Sequence, residues 1–95
     1  MKYVVFYEVA DGVEAGLLEH FPAHRARSLE FRSSGTLLLT GPFADRATAA
    51  PPAPASMAIF TTREAAEEFV RGDPFVLEGL VGTWSIREWH EGFGL

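Results

Sequence analysis

Among the side chains in this sequence whose types suit acid–base chemistry, His24 and Asp73 form the candidate pair. Asp73 is the single aspartate in the second half of the chain, and Pro74 follows it. A residue before proline is held away from helical dihedrals, so the carboxylate sits at an extended or turn corner. Arg71 and Gly72 just before it read as a helix end. A histidine beside such a carboxylate gains a fixed tautomer and a stabilised imidazolium. Its other ring nitrogen can then take or give a proton near neutral pH. The competing reading is a purely structural hydrogen bond that ties the His24 helix to the Asp73 corner.

Other chemistries are weaker. His20 and His24 are four residues apart, a spacing that binds metal on one helix. Pro22 between them is expected to break that geometry, and no third ligand suggests itself, so no metal is expected. His90 reads as a surface residue near the end of the chain. Ser28, Ser33 and Ser34 lack the strand–turn–helix context of a nucleophile elbow. The glycines form no phosphate-binding pattern. Arg27 lies about one helical turn from His24, where it is either a solvated charge or an attractor for an anionic substrate. Tyr3, Tyr7, Trp84 and Trp89 read first as core or interface residues, one or two of which line a pocket.

The elements that must position these residues follow from hydrophobic period and breakers. Residues 2–9 (KYVVFYEV) read as a strand with Tyr3, Val5, Tyr7 and Val9 on one face and Val4, Phe6 and Glu8 on the other. Residues 10–16 form a loop. The first helix lies within residues 17–34. Because proline suits a first turn and not an interior, its main body is predicted to start near Pro22 and run to Ser34, with Gly35 as the stop. His24 would then sit in the first turn, where a helix N-terminus disfavours added positive charge and keeps imidazole neutral. Residues 36–43 form a second strand ending in the breaker pair Gly41-Pro42. Residues 44–55 (ADRATAAPPAPA) read as a mobile or polyproline-like surface connection. Residues 56–62 form a third strand. Thr62 caps the helix REAAEEFVRG, whose apolar side carries Ala66, Phe69 and Val70. VLEGLV is a short turn, residues 82–90 are a fourth strand, and EGFGL is a tail.

The order β-α-β-β-α-β is the ferredoxin-like arrangement, an α+β fold with one antiparallel four-stranded sheet and both helices on one face. Two helices cover one side of the sheet, yet the first strand is apolar on both. The simplest cover for the second side is the sheet of a second copy, which predicts a homodimer. An alternative is that the Ala/Pro loop folds over that face.

Composition bounds the partners. With 95 residues and 47% hydrophobic content, the chain is expected to form one domain, residues 1–95, with a packed core. A net charge of −5 leaves no basic stripe for nucleic acid or an anionic membrane surface. There is no cysteine, hence neither disulfide nor thiolate chemistry. No run reaches the length of a membrane span, and the N-terminus lacks a signal-peptide pattern, so a cytoplasmic location is expected.

The segments PAHRARSLEFRSSGTLLLTGPF and REAAEEFVRGDPFVLEGLVGTWSIREW together resemble YciI-like (YCII-related) proteins. The first matches their His-containing helix, glycine, strand and Gly-Pro segment, and the second matches their second helix, Asp-Pro-aromatic corner and last strand. The resemblance spans nearly all of the chain except residues 44–55 and the tail. It implies a ferredoxin-like fold that dimerises into an α/β barrel, with a His and Asp pair in a pocket, which falls here on His24 and Asp73. Arg27, Gly41, Pro42, Pro74 and Phe75 are the expected substrate-contacting residues. The implied function is small-molecule chemistry by proton transfer, of isomerase, lyase or elimination type, with no cofactor. The alternative is a non-catalytic ligand-binding or accessory homodimer. The Pro-rich insert departs from the family pattern and is expected to alter the pocket mouth.

Overall fold

The computed structural model describes residues 1–50 and 52–94. Pro51 of the Ala/Pro-rich loop and Leu95 of the tail lie outside the described residues. The elements are β1 (Lys2–Val9), α1 (Glu14–Ser33), β2 (Leu37–Pro42), β3 (Ser56–Phe60), α2 (Arg63–Gly72), the one-turn helix α3 (Pro74–Leu77) and β4 (Val81–Trp89). The strands form one sheet in the order β2-β3-β1-β4, with every neighbouring pair antiparallel. This is the ferredoxin-like topology expected from the element order.

Register decides which side chains meet the helices. Tyr3 pairs with Phe60 and Val5 with Ala58, while Val5 and Tyr7 pair with Ile86 and Trp84 on the other side. Because strand side chains alternate, this set shares the helix-facing side and Val4, Phe6 and Met57 share the other. The core is built from Val5, Tyr7, Leu37, Ala58 and Phe60 of the sheet against Ala65, Ala66, Phe69 and Val70 of α2. Phe31 of α1 closes it edge-on, with ring centroids 5.2 Å from Phe69 and 6.3 Å from Phe60. Helix α2 is strongly amphipathic, and its Thr62 cap accepts a hydrogen bond from the Ala65 N–H at 3.1 Å.

Helix α1 departs from the sequence expectation. It starts at Glu14, and Pro22 lies in its interior. His24 is therefore in the middle of a continuous helix, and the argument from a helix N-terminus does not apply to it. The helix accommodates the proline at a cost: its φ suits a helix, but it has no N–H for the Leu18 carbonyl and its ring crowds that carbonyl. The far end behaves as expected. Gly35 adopts φ 82°, and the Gly35 N–H to Arg32 and Thr36 N–H to Phe31 bonds (3.0 and 3.1 Å) complete a Schellman stop. The Asp-Pro-Phe corner itself continues into α3, with Pro74 in its first turn, and the turn expected within VLEGLV falls at Glu78 and Gly79.

An interior proline predicts a measurable gain on its removal. Pro22→Ala restores the missing donor and a good helix former, against a small loss from a looser unfolded chain. The expected outcome is a rise in stability of about 1–2 kcal/mol, read as a higher denaturant midpoint at unchanged slope. If Pro22 were instead a first-turn residue, the same substitution would leave stability unchanged or lower it.

Candidate functional site

Asp73 ends α2 and begins α3. Its backbone is extended (φ −67°, ψ 124°), as the following proline demands, and its side chain accepts from the Phe75 N–H at 3.1 Å. The residue is 0% exposed. A carboxylate so placed is tolerable only with its oxygens satisfied. Tyr7 of β1 donates its hydroxyl to Oδ2 at 2.8 Å, and His24 of α1 donates from Nδ1, 2.9 Å from Oδ1 and 3.0 Å from Oδ2. Among the described residues no buried side-chain polar atom lacks a partner. Three elements thus donate to one carboxyl group, β1, α1 and α3, at the corner where α2 ends.

The imidazole is held as tightly as the carboxylate. Its ring stacks on Phe75 with centroids 4.1 Å apart and planes 8° off parallel, and it meets the Phe69 ring nearly edge-on at 6.1 Å. The Asp73 bond puts the proton on Nδ1 and leaves Nε2 free of protein hydrogen bonds among the described residues. His24 lines a cavity of about 770 Å³ between α1 and the sheet. The cavity floor is Val5, Tyr7 and Ala58, Phe69 and Phe75 form one wall, and Thr40, Gly41 and Pro42 lie at the end of β2. Helix α1 supplies the remaining wall through Glu14, Leu17, Leu18, Phe21, His24, Arg25 and Ser28. That stripe explains why α1 has no buried residue. Its apolar side faces an open chamber, leaving Leu18 78% and Phe21 50% exposed.

Some expected residues lie elsewhere. Arg27 does not line the cavity. Its guanidinium donates to the Glu68 and Phe69 carbonyls at 2.7 and 3.1 Å, lies over the Phe31 ring at 5.0 Å, and fills the space beside Gly72. It binds α1 to the end of α2 and has no donor aimed at a substrate. Pro74 shapes the corner from outside the cavity lining, whereas Gly41, Pro42 and Phe75 line it. Although α1 runs unbroken through His20 and His24, His20 lies beside Glu19 at 3.9 Å. No group of three His, Cys, Asp or Glu among the described residues is arranged to hold a metal ion. Three contributors escaped the sequence reading: the Tyr7 hydroxyl, Arg25 and Arg46. Tyr7 is in phase with Val5 on the helix-facing side, and Arg25 continues the 18–21–25–28 stripe of α1. The Arg25 signal is visible once the helix start is placed correctly, whereas the Tyr7 hydroxyl is placed by the strand register.

Tyr7 carries a pH signature. Burial foremost, then the adjacent Asp73 charge and the hydrogen bond to it, push its phenol far above the usual value of 10.0. The protonated form is the one favoured on folding, so this contribution is intact below pH 10 and is lost as pH rises beyond it. The expected outcome is a stability loss of about 1.4 kcal/mol per pH unit above about pH 10, seen in urea unfolding and flattened in Tyr7→Phe. An unchanged alkaline slope in the variant would contradict the assignment.

No curated protein sequence matches the chain. Among solved structures, it is similar to 5-chloro-2-hydroxyhydroquinone dehydrochlorinase (TftG) from Burkholderia phenoliruptrix AC1100 in complex with 2,5-dihydroxybenzoquinone. That likeness has a TM-score of 0.76 at 19% identity over 97% of this chain and 96% of the other. It is also similar to a variant of MhuD with two manganese protoporphyrin IX molecules bound per active site, at TM-score 0.52 and 16% identity over 99% and 96%. A third likeness is to At3g17210 from Arabidopsis thaliana, at TM-score 0.51 and 13% identity over 99% and 97%. At these identities the likenesses establish the fold. The model of the YCII-related domain matches residues 1–90, and the chain belongs to that family.

Proposed function

We propose that the chain is a small-molecule enzyme in which His24 moves a proton on a ligand held between α1 and the sheet. The observation that carries this reading is the Nδ1 contact of His24 with the fully buried Asp73, on a residue whose Nε2 has no protein partner among the described residues and which lines the cavity. A proton carrier needs a fixed tautomer and a free second nitrogen, and this arrangement supplies both. Asp73 and Tyr7 hold the imidazole, Phe75 fixes its plane, and the apolar walls keep water from competing for the proton. In an elimination, Nε2 would take a proton from carbon. The electron pair of the broken C–H bond would form a double bond, and the leaving group would depart with its own pair. In an isomerisation the imidazolium would return the proton to a second carbon.

The structural likeness to a dehydrochlorinase supports a lyase-type reaction and makes halogenated hydroxyaromatics the first compounds to assay. The test follows carbon-bound protons directly. Candidate compounds are incubated with the protein in heavy water, and deuterium uptake or halide release is measured. The expected outcome is turnover that falls by about 10²–10⁴-fold in His24→Gln, with ligand binding retained. Binding that saturates without exchange or release in the wild-type protein would instead indicate a non-catalytic ligand-binding dimer.

The homodimer belongs to the same proposal. On the sheet side away from the helices, Val4, Phe6 and Met57 border a groove with Trp89, which is 46% exposed, and Leu39 is 63% exposed. A second sheet laid on this face would bury the patch. Light scattering is expected to give a dimer at micromolar concentration and a folded monomer for Phe6→Asp. A monomeric wild-type protein would rule out the pairing.

A further inference from the structure

The α1 stripe that faces the cavity is apolar at Leu17, Leu18 and Phe21 and then carries Arg25. Arg25 is exposed at the open side of the chamber, but an arginine that met only bulk solvent would belong on the opposite side of the helix, at the positions of Glu19, Ala23 and Ala26. Arg25 instead occupies a position in phase with Leu18 and Phe21, one residue from His24. The second cation on the cavity lining is Arg46, which comes from the connection between β2 and β3. Its turn is fixed: Arg46 N–H donates to the Phe43 carbonyl at 3.2 Å, and the Thr48 and Ala49 N–H groups donate to Asp45 at 2.9 and 2.8 Å. The base of this connection is tied to the site itself. Phe43 N–H donates to Ala55 at 2.8 Å, and Ala55 N–H donates to the Tyr7 carbonyl at 2.7 Å. Among the described residues neither Arg25 nor Arg46 makes a salt bridge or a side-chain hydrogen bond. Among the described residues the one carboxylate on the lining is Glu14, so the open wall carries an excess of positive charge on a protein of net charge −5.

Resting on the proposed function of this chamber, we propose that Arg25 and Arg46 bind the carboxylate of an apolar, ring-sized substrate. The ring lies on the Val5, Phe69 and Phe75 surfaces, and the acid group is drawn to the two guanidinium groups on the helix and loop walls. A volume of about 770 Å³ accepts one or two fused rings with room for substituents. Two unpaired guanidinium groups offer charge-assisted, bidentate bonds to a carboxylate that a neutral isostere cannot accept. The anion-binding role that the sequence suggested for Arg27 falls to these two residues, because Arg27 is bonded to the Glu68 and Phe69 carbonyls and does not line the cavity. Arg25 is adjacent to His24, so seating the acid also orients the reacting carbon toward Nε2.

The test uses 2-naphthoate and its neutral amide, 2-naphthamide, which share the same ring. Binding is followed by calorimetry and by amide chemical shifts on the full chain. The expected result is naphthoate binding about tenfold tighter than the amide at low salt, with the preference shrinking as salt is raised. In Arg25→Gln/Arg46→Gln the preference disappears while the amide affinity stays put, which also shows that the variant is folded. Equal affinity for both probes in the wild type, a preference that survives the double substitution, or no saturable binding of either probe would each overturn the seat. The proton-transfer reading fails separately. Loss of the acid preference with His24-dependent turnover intact removes only the anion seat. Intact naphthoate binding with no turnover attributable to His24 removes only the catalysis.

Discussion

One buried carboxylate organises this molecule. Asp73 has no contact with solvent, and a carboxyl group without its water has to be repaid with donors from the protein. The donors come from β1, from α1 and from the helix that Asp73 itself begins. Each oxygen has two of these donors, Oδ1 from His24 and Phe75 and Oδ2 from Tyr7 and His24, so removing one leaves a buried carboxylate under-satisfied, which costs more than the bond was worth. The same group therefore holds the sheet, the long helix and the Asp-Pro corner together. Structure and chemistry are inseparable here, because the contact that orients the imidazole also secures α1 over the sheet. Arg27 reinforces it from the outer side by tying α1 to the last carbonyls of α2.

The open chamber explains the uneven burial of the two helices. Helix α2 has a conventional apolar stripe and disappears into the core. Helix α1 has apolar residues over its first half and no buried residue at all. It is propped at its ends. Gly16 lets it approach Leu80 near one terminus, and Phe31 packs on Phe60 and Phe69 near the other. The span between these supports bridges the cavity. A packed core there would give a more stable domain and no place for a ligand, a familiar exchange of stability for function.

Much of this was legible in the sequence, and the failures have specific causes. Element order, the capping Thr62, the stop at Gly35 and the Asp-Pro corner depend on short-range chemistry, which a sequence displays directly. The two-faced apolarity of β1 likewise pointed to an unmatched sheet face. The start of α1 was misplaced because an interior proline was treated as forbidden, whereas it forfeits one hydrogen bond and is tolerated. That error carried over to the charges. With the helix begun at Pro22, the stripe joining Leu18, Phe21 and Arg25 could not be seen, and Arg27 drew attention instead. The Tyr7 hydroxyl was hidden for a different reason. A tyrosine within an apolar strand reads as core, and only the strand register reveals that its polar tip meets Asp73. The long-range pairing of β1 with β3 and β4 is what brings that tip to the carboxylate.

The bridge that closes the connection between β2 and β3 has a consequence for how such a protein can change. Phe43 and Ala55 are locked to one another, and Ala55 is locked to the backbone of Tyr7. The intervening residues therefore form a cassette whose ends stay fixed whatever lies between them. Lengthening a loop whose ends are already closed adds little entropy. Insertions, deletions and substitutions in the cassette can remodel the entrance without displacing His24, Asp73 and Tyr7 beneath it. Diversity in what the scaffold admits can thus accumulate independently of diversity in what it does, and a library confined to residues 44–54 is the natural place to retarget it.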